Sequence, residues 1–565
     1  MSEQKRWIFL DADEQKVRHL QDVLKIHPVL CRLLVLRGIS TYDEAKQFFR
    51  PSLKDLHNPF LMKDMDKAID RIEKAIQHNE NVLIYGDYDV DGTTSVALVY
   101  SFFSKIYPNL ITYIPDRYSE GYGISIQGID FAKQHQVSLI IVLDCGIKAH
   151  EKINYAKSLG IDFIICDHHL PAETIPDAVA VLDPKRPDCN YPYKELSGCG
   201  IGFKLIQAYA EKNNINKEQI YEELDLVATS IASDLVHVTG ENRILAKFGV
   251  DLVNKKPRPG IQALINELKL NRKLEITDLV FIIGPRINAA GRIAHGSEAV
   301  ELLVAKDLET AITKIKKVQE NNDTRKEFDK DTTEEAFTLI EQSELLIQKK
   351  STVLFRPHWH KGVIGIVASR LIDKYHRPTI ILTESNGKGV GSGRSVPGFD
   401  LYEAIDQCSE HLIQFGGHKY AAGLTIELDK IDVFTEMFES VVQHNITEEL
   451  LIAPIDIDAE IEFSDITDKF YNIIEQMAPF GPENMRPTFV TKDVYDTGFS
   501  KVVKEAHLKI NLLKDGQNPV NGIGFGMADL YKIMENKDTF DVCYQLYANE
   551  WNNQIKIELR LKDIE

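Results

Sequence analysis

The sequence predicts an α/β protein in four parts: a parallel-sheet domain, a long helical linker, a second and smaller α/β domain, and a C-terminal β-barrel. Three observations carry this reading. Between residues 81 and 185, apolar runs alternate with amphipathic stretches, the pattern of parallel strands joined by covering helices. Residues 307–344 contain no Pro or Gly and are dense in charge, as long exposed helices are. From about residue 453 the chain changes to short strands separated by turn residues. At 565 residues it is also too long for one hydrophobic core.

The first fifty residues form no interpretable motif and are expected to be a small helical lead-in. Residues 51–300 are read as the parallel-sheet domain. Its strand candidates are "NVLIYGD", "LITYIPD", "SLIIVLD", "DFIICD" and "AVAVLDP", and four of the five finish on aspartate. The stretches "TTSVALVYSFFSKIY" and "IQGIDFAKQHQ" are helix-like, and residues 200–270 read as mainly helical. In parallel sheets the functional site lies at the carboxyl ends of the strands, where these aspartates fall. Residues 301–350 are the helical linker. Residues 351–450 begin again with strands "STVLFR" and "PTIILTE" around a helix "GVIGIVASRLIDKY", followed by a glycine-rich loop, "NGKGVGSGRSVPG". Residues 453–565 have the strand spacing of an OB-like barrel.

Composition narrows the class. Hydrophobic content of 44% and charged content of 27% are those of a globular protein. No apolar window approaches 18 residues, and the start lacks a signal peptide's apolar run, so a cytoplasmic protein with no membrane partner is expected. The seven cysteines are scattered without a CxxC pair and are expected as free buried thiols. The net charge of −19 speaks against nucleic acid only weakly, because affinity arises from local basic grooves.

"LIYGDYDVDGTTS" packs Asp87, Asp89 and Asp91 into five positions after a buried strand. Such crowding costs desolvation and like-charge repulsion. Further oxygen and imidazole groups stand at Asp144 in "IVLDCGI", at Asp167, His168 and His169 in "IICDHHLP", and at Asp234 in "VATSIASDLVHV". Each alone has an ordinary explanation: an aspartate after a strand is often a helix N-cap. Together they are a donor set for hard divalent cations.

The ordered motifs "DYDVDG", "LDCGI", "DHH" and "ASD" resemble those of the DHH phosphoesterase superfamily, which implies two divalent metal ions, Mn2+ or Mg2+, acting on phosphodiester or pyrophosphate bonds. Dications among crowded carboxylates reverse the repulsion that burial imposes. The resemblance implies that Asp89 and Asp144 hold one metal, and that Asp91, Asp144, His168 and Asp234 hold the other. Asp87, Asp167 and His169 are then the catalytic candidates, with His169 toward the phosphate and Asp167 orienting a ligand. Pyrophosphatase-like members carry a histidine where this chain has Tyr85, so Asp87 is the candidate to compensate, directly or through a water.

"GPRINAAGR", "HWHKGVIGIVASRL", "GSGRS", "FGGHKYAAGLT" and "MAPFGPENMRP" resemble the RecJ family of single-strand-specific 5′→3′ DNA exonucleases, from about residue 30 onward. That implies stepwise release of 5′ mononucleotides in DNA repair and recombination, with a helicase and a single-strand-binding protein as partners. A monomer is expected. A pocket for the terminal 5′ phosphate is expected from Arg117, Arg286, Arg292, Ser392 and Arg394, with His418 near the strand; arginine forks and glycine-rich backbone suit this. In the barrel, Lys501, Lys504 and Lys509 are expected to track a DNA backbone, and Phe489, Tyr495, Phe499 and Trp551 are weaker candidates for base stacking. The alternatives are a phosphodiesterase for short RNA or cyclic dinucleotides, against which length counts, and a silent single-strand-binding relative, against which the complete ligand set counts.

Overall fold

The structure is a computed structural model; it describes residues 5–551 and 554–565, without the side chains of residues 550, 551, 554 and 555. The chain forms two compact units: Asp43–Asp323 with Gln476–Arg486, and Met1–Tyr42 with Thr324–Glu475 and Pro487–Glu565.

In the first of these, five strands build one parallel sheet: β1 (Asn81–Gly86), β2 (Leu110–Tyr113), β3 (Val137–Leu143), β4 (Asp162–Cys166) and β5 (Ala180–Leu182), in the order β2-β1-β3-β4-β5. The apolar runs are continuous because both faces are covered. Alternate residues feed two separate cores: Val82, Ile84, Leu139, Ile141 and Ile164 on one face, Leu83, Tyr85, Ile140, Val142 and Phe163 on the other. Each such fully buried aliphatic side chain contributes about 1.5–3 kcal/mol. The strand order reverses between β1 and β3, and ligands of open parallel sheets bind at such switch points. The motif aspartates leave the carboxyl ends of these two strands. On one side lie α1 (Val90–Phe103), α2 (Gly198–Lys212) and α3 (Leu224–Ser233), within the same core. The stretch expected as mainly helical contains α2 and α3 and continues through Gly240–Lys255 and Pro259–Glu267. A π-helical turn, Leu279–Ile283, leads into α4 (Gly284–Ile293). The detached segment Gln476–Arg486 returns to this unit, where Val238 N donates to Pro482 O at 2.8 Å.

The charged linker is one continuous helix of 34 residues, α5 (Leu308–Glu341), that carries the chain from the first unit into the second. There, β6 (Thr352–Phe355), β7 (Thr379–Ser385), β8 (Lys388–Arg394), β9 (Leu412–His418) and β10 (Ala421–Ile426) form a mixed sheet ordered β9-β10-β8-β7-β6. Only β6 and β7 are parallel, joined by α6 (Ile364–Tyr375).

The C-terminal strands are β11 (Ala459–Glu460), β12 (Thr488–Asp496), β13 (Lys501–Val503), β14 (His507–Leu513), β15 (Val520–Gly524), β16 (Phe540–Trp551) and β17 (Gln554–Ile564). Neighbours run β12-β16-β17-β15-β14, and β14 pairs back onto the end of β12 at Tyr495–Leu513. This closes a five-stranded ring, as an OB fold requires.

The N-terminal stretch adds a feature the sequence did not show. Arg6–Phe9 is a strand paired in parallel with Pro454–Ile457, ahead of helices Glu14–Leu24, Pro28–Leu36 and Tyr42–Phe49. Its partner lies more than four hundred residues away, and a four-residue strand has too little periodicity to read alone. All seven cysteines are buried and free. Among the described residues no helix is long and apolar enough to cross a membrane.

Candidate metal centre

The first motif turns sharply between β1 and α1. A Cβ on Gly92 would lie 2.3 Å from Asp87 O, so only glycine fits there. Asp89 is indeed the N-cap of α1, its Oδ1 accepting from Gly92 N at 3.0 Å. Asp87 is buried; Oδ1 accepts from Gly123 N at 3.3 Å, while Oδ2 has no hydrogen-bond partner. Asp91, in the first turn of α1, is held by Gly198 N on Oδ2 at 2.7 Å, and by Cys199 N at 2.8 Å and Ser230 Oγ at 2.7 Å on Oδ1.

Asp144 follows β3 directly, with φ of 62°. A non-glycine residue in that region costs about 1–2 kcal/mol, a cost that persists where the surroundings fix it. Here they do: a Cβ on Gly198 would lie 2.7 Å from Asp144 Cβ, so the start of α2 closes directly over it.

His168 completes the group. Its Nε2 stands 3.2 Å from Asp144 Oδ1, 3.6 Å from Asp234 Oδ2 and 3.7 Å from Asp91 Oδ2. Both its ring nitrogens are buried without a hydrogen-bond partner. One ligand atom each from Asp91, His168 and Asp234 lies within 4.8 Å of the others, and the same holds for Asp144, His168 and His169. An orphaned imidazole nitrogen facing three carboxylates fits a divalent cation.

The electrostatics agree. Burial first, and the neighbouring carboxylates second, hold Asp87, Asp89, Asp144 and Asp234 above the usual carboxylate range. Burial pushes His168 down to about 4, which leaves the imidazole neutral and able to ligate. Asp167 and His169 behave oppositely. Burial works against both charges, but the 2.7 Å bond between Asp167 Oδ1 and His169 Nδ1 outweighs it, lowering Asp167 to about 2 and raising His169 to about 9. Asp167 also accepts from the backbone N–H of His168, His169 and Ile147, so it fixes the whole motif.

Tyr85 has a structural part of its own. Its buried hydroxyl donates to Gly123 O at 2.9 Å and accepts from Ser125 N at 3.1 Å, anchoring the loop that carries Arg117 and Tyr122. Arg117 lies over the Tyr88 ring at 4.7 Å. Arg286 donates to Gln319 Oε1 at 3.1 Å and to Ile282 O at 2.7 Å, both within its own unit. Arg292 is half-buried, and its carbonyl accepts from Tyr118 Oη.

The second unit brings Ser392 and Arg394 together: Arg394 Nη1 donates to Ser392 Oγ at 3.1 Å. A Cβ on Gly365, in the first turn of α6, would lie 2.9 Å from Ser392 Oγ and 3.0 Å from Arg394 Nη2. An arginine, a hydroxyl and a helix N-terminus thus share one spot. His418 is exposed and falls in one cross-strand row with Ala421 and Arg394. In the barrel, Phe489 is fully buried and belongs to the core, so it offers no stacking face. Tyr495 is half-buried with its hydroxyl on Asp515, while Phe499 is 79% exposed. The Trp551 side chain lies outside the described residues. Lys501, Lys504 and Lys509 are exposed, and Lys501 pairs across strands with Lys509.

Sequence reasoning missed two contributors. Tyr122 places its hydroxyl 3.2 Å from His169 Nε2, and Ser230 reaches Asp91. A tyrosine between two glycines and a serine in a helix carry no signal of this, because their partners come from distant elements.

Comparisons with known proteins agree along the chain. The DHH family, N-terminal domain, matches residues 81–231, the DHHA1 domain 348–444 and the RecJ OB domain 457–563. The single-stranded-DNA-specific exonuclease RecJ of Bacillus subtilis is 34% identical over 99% of this chain and 70% of its own length. That of Escherichia coli is 31% identical over 96% of both. In fold, the crystal structure of RecJ in complex with Mn2+ from Thermus thermophilus matches with a TM-score of 0.85 at 23% identity, covering 99% of this chain and 79% of that one. Motif order, sheet topology, the ringed barrel and identity over nearly the whole length converge, and the chain belongs to the RecJ family.

Proposed function

We propose that the protein is a metal-dependent exonuclease specific for single-stranded DNA, which hydrolyses phosphodiester bonds from the 5′ end and releases 5′ mononucleotides in DNA repair and recombination. The observation that carries it is the orphaned Nε2 of His168 facing Asp91, Asp144 and Asp234 at the sheet's switch point. The relatives' names, single-stranded-DNA-specific exonuclease, supply the substrate class. Asp91, Asp144, His168 and Asp234 would hold one Mn2+ or Mg2+, and Asp89 with Asp144 a second, with Asp87 assisting. Bound there, the cations supply Lewis-acid polarisation of the phosphodiester and a nucleophile at neutral pH.

The chain's own groups do the rest. Asp167 fixes the His169 ring, so its Nε2 is the positioned proton donor beside the cluster. Ser392 and Arg394 over the start of α6 receive the terminal 5′ phosphate, with His418 along the strand; Arg117, Arg286 and Arg292, in the other unit, are cationic candidates for contacts to the DNA. Recognition of that phosphate sets the count of nucleotides released. The barrel lysines would guide the incoming strand by its phosphates. A cytoplasmic monomer working with a helicase and a single-strand-binding protein completes the proposal. Replacing His168 by Ala tests it. Hydrolysis should fall by at least about a hundredfold, comparable to losing a strong transition-state contact, while single-strand affinity stays within a few-fold. Turnover at the wild-type rate would refute the assignment.

A further inference from the structure

We infer that Ser230 is a positioning residue for Asp91, through a buried hydroxyl contact that fixes the one oxygen Asp91 has left for a metal. The inference rests on the reading of this site as a metal centre.

Serine and threonine inside helices usually turn their hydroxyls back to the carbonyl one turn earlier. Thr229 does this, donating to Asp225 O at 2.8 Å, and Thr94 donates likewise to Val90 O at 2.6 Å. Ser230, beside Thr229 on α3, does not. Its Oγ leaves the helix and lies 2.7 Å from Asp91 Oδ1 on one side and 2.7 Å from Ser197 Oγ on the other. Ser197 is the N-cap of α2, and its Oγ accepts from Gly200 N at 3.1 Å. Each hydroxyl has one proton, and Asp91 here only accepts. Ser230 therefore turns its hydroxyl proton toward Asp91 Oδ1, with Ser197 Oγ against its other side, and Ser197 Oγ accepts from Gly200 N–H. Asp91, Ser197 and Ser230 are all buried.

The consequence is a count of lone pairs. A carboxylate offers about four acceptor positions. On Oδ1, Cys199 N and Ser230 Oγ occupy both; on Oδ2, Gly198 N occupies one. What remains is a single position on Oδ2, the oxygen 3.7 Å from His168 Nε2. Ser230 thus prevents Asp91 from rotating to a chelating or an alternative geometry. It also ties α3, whose end carries Asp234, to the same carboxylate. Groups that orient metal ligands typically affect affinity about 10- to 100-fold when removed.

The test is calorimetric titration of the metal-free protein with Mn2+, on wild type, Ser230→Ala and Ser230→Cys, with thermal midpoints measured without metal. The expected result is a Kd for Mn2+ raised about tenfold or more in Ser230→Ala and less in Ser230→Cys, which keeps the volume and a weak donor. A merely structural serine would lower the metal-free midpoint and leave the Kd unchanged. Ser230→Ala binding Mn2+ like a wild type that does bind would overturn this inference alone. A wild type that binds no Mn2+ would overturn the reading of the site as well. Should Ser230→Ala fail to fold, an unchanged Kd in Ser230→Cys overturns the inference equally.

Discussion

At the scale of single residues, the centre is a set of acids folded into a place that disfavours their charge. Asp144 is the sharpest case, buried, in a left-handed conformation and capped by Gly198. Its folded-state pKa is raised, by burial first and by Asp91 next, so its contribution to stability without metal is present at low pH and is lost as pH rises through that raised value. Asp144→Asn removes the charge and tolerates the same backbone conformation. The metal-free variant should therefore melt higher than metal-free wild type at about pH 7, converge with it as the pH falls, and gain nothing from Mn2+. Thermal melts across pH, with and without Mn2+, check this; a variant that melts lower at neutral pH and still responds to Mn2+ would contradict it. His168 behaves in the opposite sense, since burial keeps it neutral and ready to ligate.

At the scale of elements, function depends on which strand end or helix start meets which. The alternation of apolar runs made β1, β3 and β4 legible, because strands buried on both faces leave a continuous signature. The aspartates after β1 and β3 were legible for the same reason: position at a strand end is itself the information. The approach of α2 to Asp91 and Asp144 was not, since no local pattern says where a helix N-terminus points. Nor was the strand at Arg6–Phe9, whose partner is remote in sequence. The meeting of Ser392 and Arg394 with the start of α6 is another of this kind. Arg394→Ala should reduce the preference for 5′-phosphorylated over 5′-hydroxyl ends about 10- to 100-fold, the weight of one charge-assisted hydrogen bond, and leave the unphosphorylated rate nearly unchanged. Gly365→Ala, which sets a methyl against both side chains, should act in the same direction. Competition between the two oligonucleotides measures it, and equal loss on both ends would remove the phosphate assignment.

At the scale of the whole molecule, an acidic chain of net charge −19 must still hold a polyanion. Local basic surfaces are the candidates for this. On the barrel, Lys501, Lys509, Ile523 and Arg560 form one cross-strand row over four strands, and Arg560 lies 3.9 Å from the Tyr547 ring centroid. The sequence made the lysines readable but not the row, which only the closed ring brings into register; it also offered Phe489 as a stacking candidate, where the ring's interior claims it. Lys501→Ala with Lys509→Ala should flatten the salt dependence of single-strand affinity by about 0.7 for each phosphate no longer neutralised, with little change in turnover on short oligonucleotides. Affinity measured from low to high salt tests that, and an unchanged slope would take the strand off this face. The central claim, cleavage from the 5′ end of single-stranded DNA by a metal centre, has a more direct test. A 5′-phosphorylated, 5′-labelled oligonucleotide is incubated with the protein and Mn2+, beside an EDTA control and a duplex of the same sequence. Labelled mononucleotide released at once, only with metal and only from the single strand, is the predicted result; an intact oligonucleotide with Mn2+, or equal cleavage of the duplex, would contradict it.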